Sequence, residues 1–213
     1  MGRHKILNTP AVRRMPSYLH CLAGMVESGL EFASTSALAA YISVDPIVVR
    51  KDVELTGLKG CPGVGYRTRD LMEAIRCYLG WNRSRSAILV GAGSLGCALL
   101  GHRDFAESGL CFTGVFDADG GKIGREVAGG LRVEDVAELS RRVGELRPQI
   151  AVICVPVEVA QRVVDELVGC GVKAFWNFAN VCLNVPPDVV VQREVIAGGL
   201  AMLSMKLKTH AAC

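Results

Sequence analysis

The chain lacks the long hydrophobic run, the repeat and the leader segment that mark several common classes of protein. Its longest uncharged apolar stretch, Ala87–Leu100, contains glycine and serine and is shorter than the roughly 20 residues that cross a bilayer, so we expect no transmembrane helix. No heptad or other repeat persists, which excludes a fibrous protein. The basic residues 1–16 contain no apolar core, and we therefore expect no secretory signal.

Paired cysteines are also missing. The nine cysteines are scattered, odd in number and without a Cys-x-x-Cys pair. Disulfide frameworks and zinc sites need paired, closely spaced ligands, so we expect neither of them and no bound metal. We interpret the cysteines as free thiols of a protein in the reducing cytoplasm.

The composition is that of a folded protein with an uneven distribution of charge. Half of the 213 residues are hydrophobic and 21% are charged, which is enough for one or two domains. The net charge is +3, and the surplus lies in residues 1–80, where ten Lys/Arg accompany seven Asp/Glu. A basic first part suggests an anionic partner. The turn-prone segment 80–86 predicts a linker after it.

Residues 1–80 have the periodicity of short helices. Apolar positions over 10–28 recur every three or four residues, and Pro16 predicts a break between a short helix and a longer one. A second helix follows the Ser-Thr-Ser at 34–36. A third helix, capped by Asp45, is predicted over 46–56. The second and third helices, joined by a few residues, are typical of a helix-turn-helix.

Basic side chains on and around this motif predict an interface with DNA. Arg50 and Lys51 lie on the second helix of the pair, where they could reach guanine edges or phosphates. Arg13, Arg14 and Arg67 could add phosphate contacts. The alternative is a helical dimerisation domain with a basic face.

The glycine- and proline-rich segment 57–68 follows the helix-turn-helix. Its alternation of Val64 and Tyr66 predicts a tight β-ribbon, which would be a wing. Thr68 is then expected to cap a helix that runs through Tyr78.

From residue 87 onward, short β-rich runs alternate with helical segments. The predicted strands are 87–91, 111–117, 150–155, 173–178 and 189–194, and the predicted helices are 95–101, 134–143 and 158–168. Such alternation indicates an α/β domain with a parallel sheet and helices on its faces. The tail, 199–210, is a predicted helix with Leu200, Leu203 and Leu207 on one face, which would cover a core or contact another chain.

A glycine motif follows the first of these strands. GAGSLG at 91–96 comprises Gly91, Ala92, Gly93, Ser94, Leu95 and Gly96. It follows an apolar strand and opens a helix, and Asp117 ends the next strand, which is the context of a Rossmann dinucleotide site. Gly91 would permit the turn and Gly93 the approach of the pyrophosphate, while Gly96 would let strand and helix pack closely. Asp117 would accept bonds from the ribose and repel a 2′-phosphate, so NAD is favoured over NADP. The alternative is a glycine turn that binds no ligand.

A catalytic apparatus is not visible beside this motif. All four tyrosines precede the motif, and none has a lysine four residues later. The second part contains only His102 and His210, and neither has an acid at an obvious triad spacing. We therefore expect a cofactor-binding protein that is not an enzyme. A NAD-dependent oxidoreductase with an accessory helical domain remains the alternative.

The chain resembles the Rex family of redox-sensing transcriptional repressors over nearly its whole length. The matching segments are VVRKDVELTG (48–57), PGVGY (62–66), LGWN (79–82), LVGAGSLGCALL (89–100), FDAD (116–119), KIG (122–124), WNFA (176–179) and LAMLS (200–204). The resemblance implies a winged-helix DNA-binding domain (1–80), a Rossmann NAD(H)-binding domain (81–196) and a C-terminal helix (197–213) that is swapped within a homodimer.

The resemblance also implies a function and further site residues. A Rex protein represses genes by binding operator DNA, expected here to be double-stranded and palindromic, and releases it when NADH binds. Val155 and Pro156 would border the nicotinamide, as would Asn177 and Phe178, and Lys59 would supply a basic group to the wing. Two other functions stay open: a DNA-binding protein with NAD as a structural ligand, and a paralogue that senses another nucleotide.

Overall fold

The computed structural model describes residues 9–211. The chain divides into two compact units, with the border between Arg83 and Ser84, and each unit has its own hydrophobic core. Within residues 9–211 no helix is long and apolar enough to span a membrane.

Within its described residues, the first unit contains four helices and a small antiparallel ribbon. Its elements are α1 (Thr9–Glu27), β1 (Phe32–Ala33), α2 (Thr35–Ile42), α3 (Pro46–Glu54), β2 (Tyr66–Arg67) and α4 (Thr68–Leu79). The two predicted caps are confirmed, because the Ser34 hydroxyl accepts the N–H of Ala37 and the Asp45 carboxylate accepts the N–H of Ile47.

The predicted break at Pro16 is wrong, because α1 is one helix that contains this proline. Proline inside a helix costs about 3 kcal/mol, since it removes one hydrogen bond and crowds the preceding turn. Met15 and Tyr18 on either side of it, and Leu22 one turn later, are fully buried in the same core. Burial of this continuous face outweighs the local cost.

The ribbon differs from the expectation in its pairing. Residues 61–65 form only a tight turn closed by a bridge between Cys61 and Gly65, while β2 pairs with β1, which lies far earlier in the chain. Thr68 is not a cap: its hydroxyl donates to the carbonyl of Leu30 and so ties α4 to the segment between α1 and β1.

The second unit is a six-stranded sheet with helices. Its strands are β3 (Arg85–Val90), β4 (Leu110–Asp117), β5 (Val133–Asp135), β6 (Ile150–Ile153), β7 (Ala174–Asn177) and β8 (Val190–Arg193). Its helices are α5 (Ser94–Leu100), α6 (Arg103–Glu107), α7 (Leu139–Leu146), α8 (Val157–Gly169) and α9 (Ala197–Ala211). The strand order is β5-β4-β3-β6-β7-β8 and every pair is parallel. This is the doubly wound order of Rossmann folds, so the α/β fold class is confirmed.

Two elements of this unit were missed from the sequence. The predicted helix over 134–143 begins instead as the edge strand β5, which pairs with β4 and buries Val133, and the helix α7 starts only at Leu139. The short helix α6 was not predicted. A strand of three residues is too short for its alternation of apolar and polar side chains to be recognised in the sequence. Its conformation is decided by pairing with β4.

The last helix exposes its apolar side chains. Leu200, Leu203 and Leu207 are all exposed, and so are Met202 and Met205 beside them. The interpretation of this helix as a cover for the chain's own core is therefore wrong. Its apolar surface is available to another chain.

Candidate cofactor and DNA sites

The glycine turn lies where the strand order of the sheet reverses. β3 and β6 are neighbours at the centre of the sheet, and the segments that leave their carboxyl ends, Gly91–Gly93 and Cys154–Pro156, continue to helices. In a doubly wound sheet, this is the crevice in which ligands bind. The sheet topology thus places the predicted motif at the position that a dinucleotide site requires.

Two glycines of the motif are required by the protein's own packing. Gly91 has a φ of 103°, and a Cβ at this position would lie less than 3.0 Å from the carbonyl oxygen of Cys154. A Cβ on Gly96 would likewise lie less than 3.0 Å from the carbonyl oxygen of Gly91. These glycines let β3, α5 and the carboxyl end of β6 approach one another closely.

Gly93 is different, because a Cβ built on it meets no atom of the described chain within 4 Å. Gly93 is the N-cap of α5, so unpaired N–H groups of the first helical turn lie directly after it. This open backbone beside a helix N-terminus, at the crevice of the sheet, has room for a pyrophosphate. Ser94 and Leu95 form the first turn of α5 at the same place.

Asp117 ends β4 and is held by three donors. Its Oδ2 accepts the N–H of Ala92 at 2.7 Å and the Nζ of Lys122 at 3.0 Å, and its Oδ1 accepts the N–H of Asp119 at 2.9 Å. Burial raises the pKa of Asp117, but the bonds from Asp119, Lys122 and Ala92 outweigh it and hold the pKa below its ordinary value. The carboxylate is therefore ionised and oriented, with lone-pair capacity left on Oδ1 for a ribose hydroxyl.

Lys122 is a member of this site that reasoning from the sequence missed. Its ammonium group forms ion pairs with Asp117 at 3.0 Å and with Asp119 at 3.8 Å. The signal was present in the segment KIG at 122–124, five residues after Asp117. A cation here reduces the repulsion that Asp117 alone would exert on a phosphate.

The helix α3 carries the candidate DNA interface. Arg50 and Lys51 are exposed on it, while Val49 and Val53 are buried in the core of the first unit. Asp52, on the buried side, accepts a hydrogen bond from the Tyr18 hydroxyl at 2.8 Å. The basic side chains therefore face away from the core, as a recognition helix requires.

Comparisons with known proteins match both units of the chain. The family model "CoA binding domain" matches residues 82–181, and the model "Putative DNA-binding protein N-terminus" matches residues 8–53. The redox-sensing transcriptional repressor Rex of Treponema denticola is 42% identical over 98% of this chain and 99% of its own length. The chain belongs to the Rex family.

Solved structures of a Rex-family repressor, RSP, have the same fold as this chain. The complex of RSP with β-NAD⁺ and operator DNA matches with a TM-score of 0.85 and 28% identity, over 98% of this chain and 95% of the other. The complex of RSP with β-NADH matches with a TM-score of 0.85 and 27% identity, over 98% and 97%. These relatives are repressors by name and not enzymes. Among residues 9–211, no cluster of side chains is suited to a metal ion.

The four residues predicted to border the nicotinamide differ in how well their positions suit that role. Val155 is half-buried and Pro156 is exposed, both between β6 and α8 at the crevice. Phe178 is half-buried and its ring packs against Trp176 at 4.9 Å. Phe178 also belongs to the apolar cluster that contains Ala92 of the glycine turn. These three positions are compatible with a ligand in the crevice.

Asn177 does not fit the predicted role. Its side chain is fully buried; Oδ1 accepts the N–H of Ala179 at 2.9 Å and Nδ2 donates to the carbonyl of Val181 at 3.0 Å. Both ends of the amide are used to shape the turn after β7. We therefore correct the prediction: Asn177 is a structural residue.

Arg14 is largely engaged within the first unit. Its Nε and Nη2 donate to the two carboxylate oxygens of Asp52 at 2.7 and 2.9 Å. The hydrogen bond to Asp52 raises the pKa of Arg14 above its usual range, so the guanidinium stays charged. This pair joins α1 to α3, and the predicted phosphate contact of Arg14 stays a prediction that only its remaining Nη1 group could satisfy.

The other predicted DNA contacts lie on the surface. Arg13 and Lys59 are exposed. Arg67 is exposed as well, although it pairs with Glu31 at 3.1 Å and lies over the ring of Phe32. An exposed pair of this kind is weak enough to be exchanged for a phosphate.

Proposed function

We propose that this Rex-family protein is a transcriptional repressor that binds operator DNA through α3 and releases it when NADH occupies the crevice beside Gly93. The proposal rests on the observation that one chain contains both a basic recognition helix and an open glycine turn. The NAD⁺ and NADH complexes of RSP support the cofactor assignment, and its operator complex supports the DNA partner.

The cofactor would be held by the chain's fixed dipoles and charges. The first turn of α5 would donate N–H bonds to the pyrophosphate, and Asp117 would accept a ribose hydroxyl. Val155, Pro156 and Phe178 would border the nicotinamide. Reduction of the nicotinamide removes one positive charge and alters the shape of the ring, and this is the difference that the protein would sense.

A homodimer is the second part of the proposal. The exposed apolar side chains of α9 suit a contact with a second copy of the chain, to which the helix would be swapped. A dimer binds a palindromic operator only when its two recognition helices are separated by about one DNA turn, roughly 34–36 Å. A nucleotide that binds one subunit arrangement better than the other shifts this separation and thereby DNA affinity. A repressor of this kind works in the cytoplasm, where its DNA is.

Two rival functions make different predictions. An oxidoreductase would oxidise NADH in the presence of a simple carbonyl compound. A protein that uses NAD as a structural ligand would bind its operator equally with NAD⁺ and NADH. The titration below tests the second rival, and the absorbance of NADH incubated with the protein and a simple carbonyl compound tests the first.

The decisive experiment measures operator affinity of the full-length protein by fluorescence anisotropy, with NADH, with NAD⁺ and without nucleotide. The probe is the duplex enriched by repeated selection from a random pool with the same protein. We expect NADH to lower the affinity for this duplex and NAD⁺ to preserve it. Equal affinity in the two nucleotides would refute the sensor function, and a pool without enrichment would refute DNA recognition.

The variant Gly93→Ala tests the glycine turn. Because its Cβ meets no protein atom within the described residues, the fold should be kept while the close approach of a phosphate is blocked. We expect weaker NADH binding and unchanged DNA binding without nucleotide. Gly144→Ala on α7 is the matched control, since its Cβ is equally free within the described chain. Equal NADH affinity in both variants would contradict the assignment.

A further inference from the structure

The helix α3 presents a narrow exposed face of mixed chemistry. Ile47, Arg50, Lys51 and Glu54 are exposed, whereas Val49, Asp52 and Val53 on the opposite face are buried. Ile47 lies three residues before Arg50 and four before Lys51, so the three side chains are neighbours on the helix surface. An apolar side chain therefore lies beside the two basic ones.

The backbone beneath Ile47 is held in place at both ends of the helix. At the N-terminus, the N–H of Ile47 donates to Asp45 at 2.7 Å. Further along the helix, Asp52 accepts hydrogen bonds from the Tyr18 hydroxyl at 2.8 Å and from the guanidinium of Arg14. Burial and the bond to Asp52 raise the pKa of Tyr18 above its usual range, so that the hydroxyl remains a donor. The β-branched side chain of Ile47 thus projects from a fixed backbone with few rotamers.

Single exposed apolar residues are common on protein surfaces, so position decides what this one does. Ile47 is 58% exposed in the first turn of the second helix of a helix-turn-helix. The N-terminal residues of that helix are the ones that contact base edges in the major groove. Of the four bases, thymine alone presents a methyl group there.

We propose that Ile47 contacts the 5-methyl group of a thymine in each operator half-site and makes that position specific for thymine. An isoleucine offers no hydrogen bond, so it would leave the polar edge of any other base desolvated and unpaired. Arg50 and Lys51 would supply the neighbouring polar contacts. The inference rests on the proposed DNA-binding function and adds to it the chemistry of one base position.

The test is a thymine-to-deoxyuridine scan of the selected duplex described above. Deoxyuridine keeps base pairing and removes only the 5-methyl group. We expect the full-length protein to lose affinity at one thymine of each half-site, by about fourfold per methyl group. In Ile47→Ala the affinity should be lower overall and the effect of deoxyuridine at that position should disappear.

Leu30→Ala is the matched control, because Leu30 is 53% exposed in the same unit and lies outside α3. It should reproduce the wild-type scan. The inference is overturned if the wild-type scan is flat, or if Ile47→Ala retains the wild-type dependence on the methyl group. A flat scan with NADH-sensitive binding refutes Ile47 alone, whereas a pool without enrichment refutes the proposed function and the inference together. Circular dichroism spectra of the variants establish that both are folded.

Discussion

Replacement of Arg14 by methionine tests whether its pair with Asp52 holds the recognition helix in place. The Asp52 side chain is 4% exposed, and in the variant it would retain the Tyr18 hydroxyl as a donor but lose both guanidinium bonds. Removal of one partner from a buried ion pair costs about 3–5 kcal/mol. Because Arg14 is 28% exposed and water can reach it, we expect the lower end of this range, about 3 kcal/mol.

Hydrogen exchange measured by mass spectrometry on the full-length protein reports this loss locally. If exchange occurs through unfolding of the first unit, about 3 kcal/mol accelerates the amides of α1 and α3 by roughly 150-fold. Amides of the central strands β3 and β6 belong to the other unit and should exchange at the wild-type rate. DNA affinity should fall, because the recognition helix is no longer fixed from below.

Arg13→Met is the control on the same helix. Arg13 is exposed, and a surface change of this kind shifts the free energy of unfolding by less than about 0.5 kcal/mol. It should lower DNA affinity through a lost phosphate contact without accelerating exchange. Wild-type exchange in Arg14→Met would refute the reasoning, since the pair would then contribute nothing to the position of α3.

Three further experiments test the roles of individual residues. Gly96→Ala forces a Cβ against the carbonyl oxygen of Gly91, and we expect a loss of about 1–3 kcal/mol, seen as a lower melting temperature in calorimetry. Asn177→Ala leaves two backbone groups of the turn unpaired and should cost about 2 kcal/mol in urea unfolding, while the NADH affinity of the folded protein is unchanged in titration calorimetry. Burial raises the pKa of Cys154 to about 12, so iodoacetamide at pH 8 should alkylate the exposed Cys182 and spare Cys154 in peptide mass spectra.

Features encoded within a few residues could be predicted from the sequence. The caps at Ser34 and Asp45 depend on side chains beside the helix they begin, and both are confirmed. The alternation of strands and helices predicted the parallel sheet for the same reason. The break predicted at Pro16 is wrong because the local cost of this proline is overcome by the burial of α1. That burial depends on partners elsewhere in the chain.

The same distinction between local and long-range information applies to the site residues. Asp117 could be placed at the end of its strand from spacing alone, but its contact with Lys122 depends on how the following loop folds back. The family resemblance implies that Asn177 borders the nicotinamide, and only the structure shows that its amide is used by the turn. The pair of Arg14 with Asp52 joins positions 38 residues apart, which no local pattern indicates.

The three glycines of the motif are required for different physical reasons. Substitutions at them can therefore distinguish effects on folding from effects on ligand binding. Gly91 and Gly96 are constrained by backbone atoms of the protein itself, so their replacement is expected to disturb the crevice whether or not a ligand touches them. Gly93 meets no such constraint within the described chain, and the close approach of the pyrophosphate is its proposed requirement. Loss of NADH binding in Gly96→Ala therefore says little about contact, whereas the same loss in Gly93→Ala at unchanged stability locates the pyrophosphate.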